Sequence, residues 1–292
     1  MSSLIAPWTT RSGPWYLRCF QAKTICATRT LGLASRLVAN DAQEPPAIAS
    51  GSTLSFGSPL SEERAARITA ELATRKPATV LDLGCGWGGL LLRILAATPG
   101  AHGTGIDNYS PDIERANHEA ITRGLANRVT FIEDAAADHL GTTADLVLNT
   151  GAWHALGTQP EALATLRTLV NPGGRVLFAA EFWERPPTEA EIGRMWPGIK
   201  AEDNKDIAGL VDLAIEAGFR PLRIESVTRG EWEDFESGTA ADREQWLLDH
   251  PADPRADEVR AQLDNVRAIW LRGHRDIFGF AYLTLGVPAV LA

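Results

Sequence analysis

A glycine-rich turn between a predicted strand and a predicted helix constrains this chain more than any other feature of its sequence. Residues 79–83 are short and apolar, as in a buried strand, and Gly-Cys-Gly-Trp-Gly-Gly follows at once at residues 84–89. A helical pattern begins at residue 90. Glycine allows so tight a turn and lets a ligand approach the backbone closely. The turn therefore predicts an α/β fold with a ligand bound where the strand ends.

Strand and helix patterns alternate along the chain from residue 60 onward. Helical segments separate apolar segments that are typical of strands, which predicts a mostly parallel sheet with helices on both faces. Asn-Pro-Gly-Gly at residues 171–174 is predicted to be a turn before the fifth strand. The predicted strands cover residues 79–83, 103–107, 129–133, 144–149, 175–180, 220–227 and 278–287.

The domain is predicted to cover residues 58–292, with helical insertions near residues 186–205 and 231–275. Residues 1–57 are predicted to be an N-terminal extension and linker that is poorly ordered. The first forty residues contain basic residues but no Asp or Glu, a composition that organellar transit peptides share. The Ala, Arg and Gly content of the remainder favours a bacterial origin instead, and we expect a cytoplasmic protein.

Composition argues against several classes of function. The net charge is −9, whereas proteins that coat nucleic acid need clustered Lys and Arg. No stretch of 18 apolar residues occurs, so no membrane partner is expected. Cys19, Cys26 and Cys85 form neither a disulfide framework nor a zinc module. We therefore expect a reducing compartment and no bound metal.

Carboxylates at the ends of predicted strands narrow the choice of ligand. Gly84, Gly86 and Gly89 match the G-x-G-x-x-G spacing of dinucleotide-binding proteins, which leaves NAD open as a ligand. Asp107, 23 residues after Gly84, can accept hydrogen bonds from the ribose hydroxyls of NAD or of any other adenosine ligand.

Two further carboxylates favour S-adenosylmethionine over NAD. Asp82 precedes the glycine turn by two residues, where its charge would attract a methionine ammonium and repel a pyrophosphate. Asp134 follows the third strand and can accept a hydrogen bond from the exocyclic amine of adenine. Three carboxylates suit a ligand with a sulfonium and an ammonium. The alternative is that Asp82 and Asp134 are helix caps or solvated loop residues.

With these motifs the chain resembles the class I S-adenosylmethionine-dependent methyltransferases over about residues 58–290. Residues 80–89 resemble the first motif of that family, residues 105–107 its acidic ribose motif and residues 131–134 its adenine motif. The resemblance implies a Rossmann-like seven-stranded sheet whose last strand is antiparallel and lies beside the fifth, with a helical lid. More narrowly, the chain resembles small-molecule methyltransferases of actinobacteria. The resemblance implies that the cofactor is bound by Asp82, Gly84, Cys85, Gly86, Asp107, Asn108, Asp134, Ala135 and Asn149.

Methyl transfer chiefly requires alignment of the nucleophile, so a general base is optional. His154 follows the fourth strand and is the candidate base, since an imidazole can accept a proton at neutral pH. Glu181, after the fifth strand, is predicted to orient a base or to bind a cationic acceptor. With His154, the loop residues Trp153, Trp183 and Trp196 are predicted to line the acceptor pocket. For each of these residues, ordinary packing or a solvated loop position is the alternative. Three other tryptophans are assigned to the core of the late insertion: Trp232, Trp246 and Trp270.

The sequence therefore predicts an S-adenosylmethionine-dependent methyltransferase that acts on an oxygen or nitrogen atom of a small molecule. No Asn-Pro-Pro-Tyr or Asp-Pro-Pro-Tyr follows the fourth strand, which disfavours nucleobase and glutamine substrates. A non-catalytic cofactor-binding subunit and an NAD-dependent oxidoreductase stay open as alternatives. The sequence does not identify the acceptor molecule, and it leaves open whether the chain forms homo-oligomers.

Overall fold

The computed structural model of the chain describes residues 44–289. Predictions for Cys19, for Cys26 and for the rest of residues 1–43 lie outside the described part. The described residues form two compact units. The larger unit comprises residues 53–186, 202–238 and 276–289, and the smaller unit comprises residues 44–52, 187–201 and 239–275.

A seven-stranded sheet forms the centre of the larger unit. Its strands are β1 (Thr79–Leu83), β2 (His102–Asp107), β3 (Val129–Glu133), β4 (Ala144–Thr150), β5 (Val170–Trp183), β6 (Arg220–Ser226) and β7 (Phe278–Gly286). The helices of the described chain are α1 (Glu62–Ala73), α2 (Gly89–Ala97), α3 (Ser110–Thr122), α4 (Gln159–Leu169), α5 (Glu189–Ile192), α6 (Ile207–Glu216), α7 (Arg229–Asp249) and α8 (Ala256–Ile269). Short 3₁₀ turns lie at Ala136–Asp138, Trp153–Leu156 and Ala201–Asp203, and a π-helical turn lies at Trp270–His274.

The strands are arranged in the order β3-β2-β1-β4-β5-β7-β6. β7 runs antiparallel to both of its neighbours, β5 and β6, whereas the other pairs are parallel. The predicted sheet, with an antiparallel last strand beside the fifth, is therefore confirmed. The direction in which the strand order runs reverses between β1 and β4, and ligands of open α/β sheets bind at the carboxyl ends of strands at such a point.

Local sequence explains where several helices begin. The Ser61 hydroxyl accepts a hydrogen bond from the backbone N–H of Arg64, and two acidic residues occupy the first turn of α1. Thr158 and Glu161 form a capping box at the start of α4. Apolar side chains of β4, β5, α4 and α6 form the main core between sheet and helices, among them Val147, Leu166, Phe178 and Leu210.

The predicted turn at residues 171–174 does not separate α4 from β5. β5 begins at Val170, which pairs with Ala144, and the pairing then shifts so that Arg175 lies opposite Leu146. Gly173 adopts a φ of 78° within this irregular part of the strand. The Pro-Gly-Gly sequence predicted a turn. Because the residues on both sides of it pair with β4, it forms a bulge inside β5 instead.

The end of the predicted linker is packed rather than extended. Residues 44–57 contain no helix or strand, yet only 4% of the Phe56 side chain is exposed. The Arg93 guanidinium lies 5.0 Å from the centre of the Phe56 ring. The burial of this aromatic ring attaches residues 53–57 to the larger unit. The polar composition of the segment does not predict that burial.

The smaller unit contains residues from both predicted helical insertions. The second part of α7 and α8 pack around Trp246, Ala256, Val259 and Leu263. Trp246 therefore packs in the core of the insertion, as expected. Among the helices of residues 44–289, none is long and apolar enough to cross a membrane.

Candidate functional site

The glycine turn connects the carboxyl end of β1 to the start of α2. The backbone N–H groups of Gly84 and Cys85 both donate to the carbonyl oxygen of Ile106, which ties the turn to the end of β2. Gly84 has a φ of 77°, and a Cβ at this position would lie 2.1 Å from the Cβ of Ala152. The turn thus lies directly against the loop that follows β4, a separation that only glycine allows.

Asp107 holds the turn from the end of β2. One carboxylate oxygen of Asp107 accepts a hydrogen bond from the Gly86 N–H at 2.8 Å, and the other accepts from the Tyr109 N–H at 3.0 Å. Asn108, the next residue, is exposed. The Asp107 carboxylate is consequently fixed beside the turn, at the position where the sequence predicts contact with a ribose.

Asp82 lies inside β1, and only 3% of it is exposed. Its Oδ1 has no hydrogen-bond partner among the described residues. Burial, reinforced by the nearby negative charge of Asp107, raises the pKa of Asp82 to about 8. Asp82 is therefore neither a helix cap nor a solvated loop residue.

Asn149 presents a second buried oxygen at the end of the neighbouring strand, β4. Its side-chain amide donates to the carbonyl oxygen of Leu83 at 2.9 Å, whereas its Oδ1 has no partner among the described residues. Buried polar atoms are rarely left without a hydrogen bond, so the free oxygens of Asp82 and Asn149 indicate a missing donor. An ammonium group carries three donors of the kind that an unpaired carboxyl or amide oxygen accepts. The residues present therefore fit a ligand with an ammonium at the turn.

Cys85 is half-buried and lies inside the glycine turn. Its Sγ donates weakly to the carbonyl oxygen of Gly86 at 3.4 Å. Burial, together with the nearby charge of Asp82, raises the pKa of the Cys85 thiol well above its ordinary value. The thiol therefore stays protonated, and Cys85 contributes packing and backbone rather than a nucleophile.

Asp134 and Ala135 follow β3 at the surface. The Asp134 carboxylate accepts from the Ala135 N–H at 2.8 Å and lies 2.9 Å from His139 Nε2. The hydrogen bond with His139, followed by the one with Ala135, lowers the pKa of Asp134. The exposed carboxylate is thus ionised and held locally. Its contact with an adenine amine stays a prediction.

Two of the predicted acceptor residues form a direct contact. The indole N–H of Trp153, in the 3₁₀ turn after β4, donates to Glu181 Oε2 at 2.8 Å, and both side chains are buried. Gln159 Nε2 donates to the backbone oxygen of Glu181 at 2.8 Å. Burial raises the pKa of Glu181, although the Trp153 hydrogen bond partly opposes this effect. The loop after β4 and the end of β5 are joined by this pair.

The remaining predicted acceptor residues have different surroundings. His154 is half-buried beside Trp153, and burial lowers the pKa of its imidazole to about 4, so the ring is neutral at pH 7. Trp183 is the last residue of β5 rather than a loop residue, because its pairing with Phe278 on β7 extends the strand, and the two rings pack edge-on with 4.3 Å between their centres. Trp196 belongs to the smaller unit, where its ring packs against His274 at 5.7 Å.

A contact between the glycine turn and residues 54–55 was not predicted. Trp87, inside the turn, donates its indole N–H to the carbonyl oxygen of Ser55 at 2.9 Å. The Arg115 guanidinium lies 4.2 Å from the centre of the Trp87 ring and donates to the carbonyl oxygen of Leu54 at 2.8 Å. A bulky residue among glycines was the only sequence signal. Its partners lie about thirty residues away on either side, where periodicity carries no information.

The chain is similar to known proteins over most of its length. A family model described as a methyltransferase domain matches residues 60–204. The uncharacterized protein YjhP of Escherichia coli is 28% identical over 228 residues, which cover 78% of this chain and 92% of YjhP. The X-ray structure of YjhP superposes with a TM-score of 0.72, covering 82% of this chain and 97% of the YjhP chain.

Two further crystal structures contain a bound ligand. An S-adenosylmethionine-dependent methyltransferase from Geobacter sulfurreducens, in complex with S-adenosyl-L-homocysteine, is 26% identical with a TM-score of 0.72 and covers 81% of this chain and 95% of that one. The corresponding complex from Thiobacillus denitrificans is 27% identical with a TM-score of 0.71, covering 80% and 94%. The narrower resemblance to actinobacterial enzymes stays a prediction.

Proposed function

The chain belongs to the class I S-adenosylmethionine-dependent methyltransferases, and from this premise we propose that it methylates an oxygen or nitrogen atom of a small molecule. S-adenosylmethionine supplies a methyl carbon activated by a sulfonium; the acceptor lone pair forms the new bond, and the displaced electron pair stays on sulfur. The chain's own residues then have to bind, to align and to exclude water.

Cofactor binding follows from the two unpartnered oxygens beside the glycine turn. In this proposal the oxygens of Asp82 and Asn149 accept from the methionine ammonium, and Gly84, Cys85 and Gly86 let the ligand approach the backbone. Asp107, with Asn108 beside it, accepts from the ribose hydroxyls, and Asp134 with Ala135 contacts the adenine. Three carboxylates around a cationic ligand disfavour the NAD alternative, since a diphosphate would be repelled.

The observation that carries the small-molecule proposal is the burial of the polar groups after β4 and at the end of β5. Trp153 and Glu181 are 5% and 4% exposed, so an acceptor that touches them must enter the protein rather than rest on its surface. His154 is neutral at pH 7 and is proposed as the proton acceptor when the nucleophile carries a proton. The acidic chain further disfavours a nucleic-acid substrate. We place the protein in the cytoplasm, because its cysteines are few and Cys85 is a free thiol.

Two measurements test this function. Calorimetry with S-adenosylmethionine, S-adenosylhomocysteine and NADH, with Asp107→Ala as the control variant, should give micromolar binding of the first two ligands and loss of that binding in the variant. Release of S-adenosylhomocysteine is then followed with a panel of hydroxyl and amine acceptors.

The combined outcomes separate the three hypotheses. Turnover that Asp107→Ala abolishes supports the proposal. Cofactor binding without turnover on any acceptor supports a non-catalytic subunit. Binding of NADH alone would overturn the methyltransferase assignment.

A further inference from the structure

Three hydrogen bonds fasten the loop that follows β4 to the end of β5. The Gly151 N–H donates to the carbonyl oxygen of Ala179 at 2.8 Å. The Trp153 indole N–H donates to Glu181 Oε2, and Gln159 Nε2 donates to the carbonyl oxygen of Glu181, both at 2.8 Å. The last two bonds enclose the turn between Trp153 and Gln159 and both end on one residue. We call this pair of bonds the Glu181 clamp.

The carboxyl group of Glu181 is a destabilising choice for this position unless it has a task. Only 4% of the residue is exposed, and no Arg, Lys or His side chain of residues 44–289 forms a hydrogen bond or ion pair with it. Burial consequently raises the pKa of Glu181. An apolar side chain would fill the same space without the desolvation penalty. The one side chain that this carboxyl group holds, among the described residues, is Trp153.

The clamped turn contacts the cofactor side of the site and carries the candidate proton acceptor. A Cβ at Gly84 would lie 2.1 Å from the Cβ of Ala152, so the residue before Trp153 lies directly against the glycine turn. His154 follows Trp153, and its ring is edge-on to the indole with 6.1 Å between ring centres. Because the three residues are consecutive, a shift of Trp153 moves both of its neighbours.

His154 has a low proton affinity because this turn keeps it half-buried. The 3₁₀ turn Ala136–Asp138 and α4 pack against it, and they carry the charged side chains Asp138, Glu161 and Arg167. The His154 ring forms no hydrogen bond or ion pair with these side chains or with any other described residue. Burial alone lowers the pKa of the imidazole to about 4, whereas a ring in water would titrate at about 6.5. The position of the turn thus decides whether His154 is neutral in mild acid.

We propose that Glu181 is a positioning residue: through the indole of Trp153 it holds the turn after β4, so that His154 stays buried and Ala152 stays against the glycine turn. The inference rests on the proposed function, in which His154 accepts the proton of the nucleophile. It assigns Glu181 to the turn rather than to a cationic acceptor. The clamp needs an oxygen at position 181 but no charge, so an amide should replace the carboxyl group and an apolar side chain should not.

An NMR titration of the His154 imidazole in the cofactor-free full chain tests the clamp directly. The signal is assigned by its loss in His154→Asn. The pKa should be about 4 in the wild type, and Glu181→Gln should preserve it. Glu181→Met and Trp153→Phe each remove one partner of the hydrogen bond, so in both variants the pKa should rise toward about 6.5.

Stability measurements separate positioning from folding. Each of these two variants leaves a buried polar group unpaired and should unfold at a lower urea concentration than the wild type. The double variant Glu181→Met/Trp153→Phe removes both groups and should recover much of that loss, yet the pKa of His154 should stay raised because no hydrogen bond holds the turn. Glu184→Gln removes a carboxylate from an exposed position three residues beyond Glu181 and should change neither quantity.

Calorimetry with S-adenosylhomocysteine gives the second readout, since the turn lies against the glycine turn. Glu181→Met should weaken binding by about fivefold, and Glu181→Gln should stay within about twofold of the wild type. The inference is wrong if Glu181→Met leaves the His154 pKa or this affinity unchanged, if Glu181→Gln alters them equally, or if the double variant restores the wild-type pKa. Trp153→Phe carries the same test if Glu181→Met does not fold. Wild-type protein that does not bind S-adenosylhomocysteine would overturn the proposed function instead, and the titration of His154 does not depend on that binding.

Discussion

The close packing of Gly84 against Ala152 predicts that a side chain at position 84 destabilises the protein. It also predicts that removing the side chain at position 152 restores part of the lost stability. In Gly84→Ala the new Cβ would lie 2.1 Å from the Ala152 Cβ, whereas carbon atoms in contact are normally about 3.5–4.0 Å apart. Overpacking of this kind costs about 1–3 kcal/mol. The φ of 77° adds about 1–2 kcal/mol for a residue with a side chain. We therefore expect Gly84→Ala to lower the free energy of unfolding by about 2–5 kcal/mol.

A second substitution separates the clash from the backbone strain. Ala152→Gly removes the clashing Cβ and leaves the Ala152 Cα at 3.6 Å, an ordinary contact. The double variant should recover about 1–3 kcal/mol relative to the sum of the single variants. Gly124→Ala is the matched control, since Gly124 has a φ of 66° with nothing within 4 Å of the added Cβ. It should lose only the strain contribution of about 1–2 kcal/mol.

Urea unfolding, followed by circular dichroism and tryptophan fluorescence, measures these differences at one pH and without cofactor. Affinity for S-adenosylhomocysteine is measured in parallel, because the same contact shapes the turn. If Gly84→Ala is no less stable than Gly124→Ala, or if Ala152→Gly does not rescue it, the close packing of the turn on the loop after β4 is wrong.

Three other expectations follow from single residues. Asp107→Ala removes the acceptor of the Gly86 N–H and should weaken S-adenosylhomocysteine binding by about 2 kcal/mol in calorimetry, whereas affinity within threefold of the wild type would contradict its role. The pKa of Asp82 is raised from 3.8 to about 8, so the folded state binds a proton that the unfolded state releases, and the stability of the cofactor-free protein should fall as pH rises across this range. In Asp82→Asn the urea midpoints at pH 5 and pH 8.5 should differ less than in the wild type, and parallel pH dependence would refute the burial of this carboxyl. Trp87→Phe keeps a ring for Arg115 but loses the hydrogen bond to Ser55, so hydrogen exchange at residues 54–57 should accelerate; unchanged exchange would show that the indole N–H does not hold this segment.

Features set by neighbouring residues could be predicted from the sequence. Periodicity and spacing predict the order of strands and helices, the glycine turn after β1 and the carboxylate at the end of β2, because each depends on a few consecutive residues. The antiparallel position of β7 came from the resemblance to a family rather than from the pattern of its own residues. The Pro-Gly-Gly bulge in β5 shows the limit of local signals, since strand pairing decided its outcome.

Tertiary structure alone decided which polar groups lose contact with water. Asp82 and Glu236 are both carboxylic residues in the sequence, and nothing near them distinguishes them from the exposed Glu184. Burial raises the pKa of Asp82 and of Glu236, and a contact between the turn after β4 and the end of β5 pairs Glu181 with the indole of Trp153. Proton affinity depends on the desolvation and partners of a group, and both arise only when segments far apart in the chain pack together. Local patterns together with the family resemblance therefore predicted the fold and the cofactor, whereas packing between distant segments determined which carboxyl groups are removed from water.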